Sequence, residues 1–192
     1  VQHVVGQPDR EDRLANLQAL TLARAGRLVA ASVSARRAID RASAEGNRER
    51  AAAYEVSTAV WDAWYGNAPA ARERALHVLA AQPGRHVMYA CALALAIAGD
   101  STKALAIAND LERRFPEDTS VRFNYLPTLR ALAALAAKDP AGAIEQLRPA
   151  TTSRTSRSAQ ERGSWAAAMA GAALSVGGVG RTGFPPPAAQ ER

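Results

Sequence analysis

Residues 92–116 read Ala92-Leu93-Ala94-Leu95-Ala96-Ile97-Ala98-Gly99-Asp100-Ser101-Thr102-Lys103-Ala104-Leu105-Ala106-Ile107-Ala108-Asn109-Asp110-Leu111-Glu112-Arg113-Arg114-Phe115-Pro116. A run of strong helix formers ends at Gly99, and a second run begins at once and stops at Pro116. Gly at the bend supplies the left-handed conformation that terminates the first helix. Pro cannot continue the second. The stretch is a helix, a tight turn and a helix.

The same spacing recurs along the chain. Turn points fall at Gly26-Arg27, Gly66-Asn67, Gly99-Asp100 and Lys138-Asp139, and seven residues before them lie Ala19, Ala59, Ala92 and Ala131. Five residues after them lie Ala31, Ala71, Ala104 and Ala143, and twelve after come Ala38, Val78, Leu111 and Ala150. With 46 alanines in 192 residues, eight Ala at eight set places arise by chance with a probability of about 10⁻⁵. The turns are 40, 33 and 39 residues apart, inside the range of helical repeats. A small residue two turns before the bend faces another one turn after it, so two antiparallel helices approach closely.

This pattern predicts helices over 10–25, 27–44, 48–65, 68–81, 85–98, 101–114, 119–137 and 140–149. Asn67, Ser101 and Asp139 are the cap candidates, Pro69 and Pro140 sit near first helical positions, and Pro83 and Pro116 stop second helices. Pro127 implies a kink in the seventh helix or a start nearer Asn124. The links at Glu45-Gly46-Asn47 and 116–119 absorb the extra residues of the longer spacings.

Composition agrees and excludes other classes. Apolar residues make up 48% of the chain but aromatics only 5%, with 17 Leu, 22 Arg and two Lys. Thin β-branched and aromatic content rules out an all-β sandwich, and a single Cys (Cys91) rules out a disulfide-stapled module. A length of 192 residues allows one or two domains with room for a core. The net charge of +6 divides into +3 over residues 1–150 and +3 over the last 42. The larger part is near balance, so nucleic acid is not an expected partner. The first residues show no charged region leading into an apolar run, so no signal peptide is expected in this stretch. Gly163–Gly180 is uncharged but holds five Gly and one Leu, too weakly apolar for a membrane span.

The alanine and proline spacing over residues 12–150 resembles the tetratricopeptide repeat (TPR), with its large aromatic positions degenerate. Gly26-Arg27-Leu28, Tyr65-Gly66-Asn67-Ala68, Ala98-Gly99-Asp100, Arg114-Phe115-Pro116-Glu117-Asp118-Thr119 and Leu126-Pro127-Thr128-Leu129-Arg130 narrow the likeness. They are similar to the C-terminal repeat region of eukaryotic-like serine/threonine kinases of bacteria, especially Acidobacteria. The resemblance implies an all-α, TPR-like α-solenoid of about four hairpins. It also implies a role as the accessory or sensory part of a signalling kinase. Related repeats follow winged-helix domains in transcription regulators, so a ligand-sensing or oligomerising role there stays open.

After Pro149 the pattern stops. Leu falls from 16 in residues 1–150 to one in 151–192, while Gly, Ser, Thr and Arg rise. Thr151–Arg157 and Phe184-Pro185-Pro186-Pro187 read as disordered. The expected organisation is a disordered end over 1–8, the repeat domain over 9–149 and a low-complexity tail over 150–192. The shift is what an out-of-frame end of a GC-rich reading frame would give.

No catalytic, cofactor or metal site is expected. Gly178-Val179-Gly180-Arg181-Thr182-Gly183 matches the nucleotide-loop string, but no strand precedes it and Phe184 and three prolines follow. Kinase signatures of the H-R-D, D-F-G and V-A-I-K type are missing from this sequence. His3, His77 and His86 lack ligand spacing, and Cys91 sits in an apolar helical run without an activating base. Trp61 and Tyr65 share a helix face and are expected inside the hairpin, while Trp64 points elsewhere. In the resembled family the first helix of each hairpin lines a concave groove. The corresponding positions here are Arg13, Asn16, Arg24, Trp64, Tyr89 and Tyr125, a mix of Arg and aromatics that suits a protein or peptide partner. RNA reading is disfavoured, because the turn-flanking positions recur as Ala, which cannot read bases. An uncapped last repeat leaves an apolar end through which copies can self-associate.

Overall fold

The computed structural model describes residues 8–154, and they fold as eight consecutive packed helices. These are α1 (Pro8–Arg24), α2 (Leu28–Ala44), α3 (Arg48–Trp64), α4 (Ala68–Ala80), α5 (Arg85–Ile97), α6 (Ser101–Arg114), α7 (Leu126–Ala136) and α8 (Pro140–Arg154). Helices α1 to α6 lie within two residues of their expected limits. The expected tail over 150–192 meets the described chain only in α8, which runs through Pro149 to Arg154. The 178–183 string and the proline run at 185–187 lie outside the described residues.

All four predicted turns close in one way. Gly26, Gly66, Gly99 and Lys138 hold left-handed φ values of +74°, +88°, +88° and +62°. The N–H of each reaches the carbonyl three residues back, and the next N–H reaches five back, as in Asp100 to Leu95 at 2.8 Å. This is the Schellman closure of a helix end, which satisfies carbonyls that the helix leaves orphaned. The α2–α3 link closes identically, with Gly46 at φ +73°.

The alanines do what their spacing requires. Ala19, Ala59, Ala92 and Ala131 before the bends, and Ala31, Ala71, Ala104 and Ala143 after them, are at most 4% exposed. Ala38, Val78 and Leu111 are buried one level further along, and Ala150 is half-buried. Helix α1 therefore pairs with α2, α3 with α4, α5 with α6 and α7 with α8.

Capping differs in detail from the sequence reading. Asp100, not Ser101, caps α6 by accepting from the Lys103 N–H at 3.1 Å. Asn67 precedes α4 without a side-chain bond, and Asp139 accepts from the Gly142 N–H at 2.8 Å. Pro127 is handled by a π-helical turn over Val121–Tyr125, in which the Leu126 N–H reaches back to the Val121 carbonyl. A proline ring crowds the carbonyl four residues before it and offers no N–H. A wider turn just ahead of Pro127 fits that need, and α7 starts at Leu126.

Successive hairpins meet through α2–α3, α4–α5 and α6–α7, and α3 also lies along α5, which reaches α7. Helix α5 is buried without interruption from Val87 to Leu95. Leu14 and Leu17 of α1 are exposed, whereas the residues at their place in later hairpins are all buried: Tyr54 and Ser57, Val87 and Ala90, Leu126 and Leu129. Tyr54 packs with Ala15, Ala38 and Ala42 of the preceding hairpin, so this is a stacking face.

Candidate functional site

The six residues expected to line one groove fall into two groups. Arg13 and Arg24 of α1 are exposed, and Trp64, the last residue of α3, is 37% exposed. Asn16 is half-buried, one turn beyond Asp12, and its side-chain oxygen has no hydrogen-bond partner. These four remain available at or near the surface.

Tyr89 and Tyr125 are instead interior residues, at 0% and 2% exposure. Their rings stack with centroids 4.0 Å apart and planes 8° from parallel. The stack joins α5 to the π-helical turn, and each ring removes one face of the other from solvent. The Tyr89 hydroxyl is buried beside Thr128 without a well-formed hydrogen bond. Tyr65 departs from expectation in the other direction. It is 41% exposed, with only its hydroxyl anchored, donating to the Ala23 carbonyl at 2.6 Å. Trp61 is buried as its helix face implied.

His86 completes the aromatic cluster. Its Nδ1 lies 2.5 Å from the Tyr125 hydroxyl, and the two rings meet edge to face at 5.9 Å. Burial and then the charge of Arg85 hold the imidazole below its usual pKa, against the smaller pull of Asp118 and Glu49. Which of the two groups donates is set by the imidazole tautomer, since a neutral ring carries its proton on one nitrogen only. The sequence carried a usable signal, since His86 lies three residues before Tyr89 on one helix face.

A second polar cluster joins α1 to α3. Asp12 is fully buried, and its carboxylate accepts from Arg50 Nη1 at 2.9 Å, the Tyr54 hydroxyl at 3.1 Å and the Arg13 N–H at 2.6 Å. Burial alone would raise the carboxyl. The bonds from Arg50, the backbone and Tyr54 outweigh it, so the group is held below the usual carboxylate range. Burial, then the bond to Asp12, pushes the Tyr54 phenol up to about 12. Arg50 and Tyr54 stand 38 and 42 residues from Asp12, a distance at which no local sequence signal operates.

Cys91 is buried, and burial pushes its thiol up to about 12, away from nucleophilic chemistry at neutral pH. His77 is exposed. Among the described residues no group of three or more His, Cys, Asp or Glu could hold a metal ion. No described helix is long and apolar enough to cross a membrane.

No known family, curated protein or solved structure matches this chain. The reading of function therefore rests on geometry. The two polar clusters each tie one hairpin to the next. The exposed Arg13, Arg24 and Trp64 are the first-helix side chains with the reach to anchor a partner.

Proposed function

We propose that the hairpins form a TPR-type α-solenoid that serves as a noncatalytic protein-interaction scaffold. The observation that carries this reading is the repeated hairpin: four turns of one geometry, flanked by eight buried alanines. A chain that spends its sequence pattern on stacking identical units gains an extended surface rather than a pocket. The partner is a peptide or domain held along the first helices, with Arg13, Arg24 and Trp64 as anchors. Tyr89 and Tyr125 lie beneath and, with the exposed His86 at their edge, fix α5 against the π-helical turn. The likeness of the repeat strings to kinase-associated repeats supports reading such a scaffold as the accessory part of a bacterial serine/threonine kinase.

The test is cross-linking of the full chain to a captured partner, followed by titration of Trp64→Ala and Arg13→Ala against the same partner. Loss of an interface anchor weakens binding by about tenfold or more. Full affinity in both variants would remove the first-helix surface from the account.

A further inference from the structure

Val29 and Val33 lie one turn apart on α2 and are 68% and 61% exposed. Counted from the turn, their place is taken in later hairpins by Pro69 and Glu73, Thr102 and Ala106, and Ala141 and Glu145, all exposed. The repeat thus holds this stripe at the surface in every hairpin, and the first hairpin alone puts two large aliphatic residues on it. Leu14 and Leu17 are a different matter, since their exposure follows from the stacking face they occupy. No stacking position accounts for Val29 and Val33.

Charge on the same stripe is equally unusual. Arg36 and Arg37 follow one turn beyond Val33. A shallow groove of about 450 Å³ is lined by Ser32, Val33, Arg36, Arg37, Asp40 and Arg41. Arg41 is held by Glu11, but Arg36 and Arg37 make no ion pair among the described residues, and neither do Arg13, Arg24 and Arg27. Later hairpins pair most of their cations, with Arg48, Arg72 and Lys138 the exceptions among the described residues. Arg74 meets Asp62, Arg85 meets Asp118, Lys103 meets Asp100, and Arg130 meets Glu112. Free guanidiniums beside exposed aliphatics are the complement of apolar side chains flanked by carboxylates.

We propose that the outer face of α2 is a docking stripe for an acidic amphipathic helix of a partner protein. Its apolar residues cover Val29 and Val33, and its carboxylates meet Arg36 and Arg37 in the bidentate geometry that Arg favours. Phosphate recognition would use the arginines but leave the valines exposed. Insertion into an anionic membrane surface draws on Trp, Phe or Leu along the apolar face, and this stripe offers only two valines. The stripe lies on a second helix of a hairpin and does not depend on the first-helix surface.

The test uses the full chain and a labelled helical peptide of about 20 residues, with Leu at one-turn spacing and Glu flanking that row. Fluorescence anisotropy should show binding that weakens as salt is added. Val29→Ser with Val33→Ser, and Arg36→Glu with Arg37→Glu, should each weaken it by at least about tenfold without changing helix content by circular dichroism. Trp64→Ala should leave it intact, which separates this surface from the first-helix anchors. Failure of the peptide to bind, or equal binding by its Lys-for-Glu counterpart, would overturn the proposal. So would affinity that survives both double variants. Tighter binding of phosphatidylserine vesicles or duplex DNA, lost in the same variants, would assign the stripe to those ligands instead.

Discussion

The joint between the first and second hairpins and the joint between the second and third use different chemistry. At the first, the buried Asp12 carboxylate of α1 binds Arg50 and Tyr54 of α3, above a small cluster of Ala15, Ala38, Ala42, Ala51 and Tyr54. At the second, Ala63, Ala71 and Ala98 pack directly with Ala68 and Ile97. Charges there stay at the rim. Glu49 accepts from the Gly84 N–H at the start of α5, and Arg72 donates to the Ala98 carbonyl at its end. Both placements suit the helix dipole. The repeated alanines thus set the spacing within a hairpin and leave the joint between hairpins open to other solutions.

Removing the buried charge should have the largest effect. Asp12→Ala takes the shared carboxylate from Arg50 and Tyr54, leaving Arg50 only Glu45 at 3.6 Å, and is expected to cost on the order of 3 kcal/mol. Glu49→Ala, at an exposed helix start, should cost about 0.5 kcal/mol. Urea unfolding gives both values, and hydrogen exchange should show the Asp12 loss concentrated in α1 and α2. Equal costs in the two variants would erase the distinction between the joints.

Acid should act on the same joint. The folded-state pKa of Asp12 is lowered, so its contribution to stability is present above the unfolded value of about 3.9 and is lost as pH falls through the folded value. His86 has a lowered folded value as well. Its contribution is complete above about 6.5 and declines as pH drops from there toward its folded value. Acidification should therefore loosen the α5–π-turn contact first and the first hairpin later. A titration monitored by hydrogen exchange that shows the reverse order would contradict these assignments.

Within a hairpin the effect should be smaller and independent of pH. Ala92 is fully buried where α5 meets its neighbours. Ala92→Leu adds three carbon atoms to a close helix contact and should cost about 1–3 kcal/mol by overpacking. The same change at the exposed Ala106 should be near neutral. A tolerated Ala92→Leu would mean that the alanine spacing is not a packing requirement.

What the sequence disclosed follows the same division. Turns and alanines within hairpins were legible because their determinants are local: a left-handed residue and a small one at fixed separation. The Asp12–Arg50–Tyr54 joint was not, because its members share no segment. Among the candidate site residues, Arg13, Arg24 and Trp64 are exposed as a groove requires, while Tyr89 and Tyr125 are interior. Position on a first helix fixes which way a side chain starts out. It does not tell whether a residue three dozen positions away, as Tyr125 is from Tyr89, will cover it. Gln82 shows the limit in the backbone too, with φ +50° at a joint where the glycine, Gly84, stands two residues further on.

The smallest expected effect concerns the one predicted turn that lacks glycine. Lys138 holds φ +62° at the bend where Gly26, Gly66 and Gly99 stand in the other hairpins. A side chain in that conformation costs roughly 1–2 kcal/mol, because its Cβ crowds the following carbonyl. Lys138→Gly removes the crowding but gives the unfolded chain more freedom, which offsets about 0.5–1 kcal/mol. The net should be a gain of a few tenths to about 1 kcal/mol, read as a higher midpoint in urea at unchanged slope. Gly66→Ala runs the argument backwards, introducing the crowding at φ +88° with open space around the added carbon. It should lose about 1 kcal/mol. If Lys138→Gly lowers stability, the lysine is held by more than its turn, and the fourth hairpin is not equivalent to the other three.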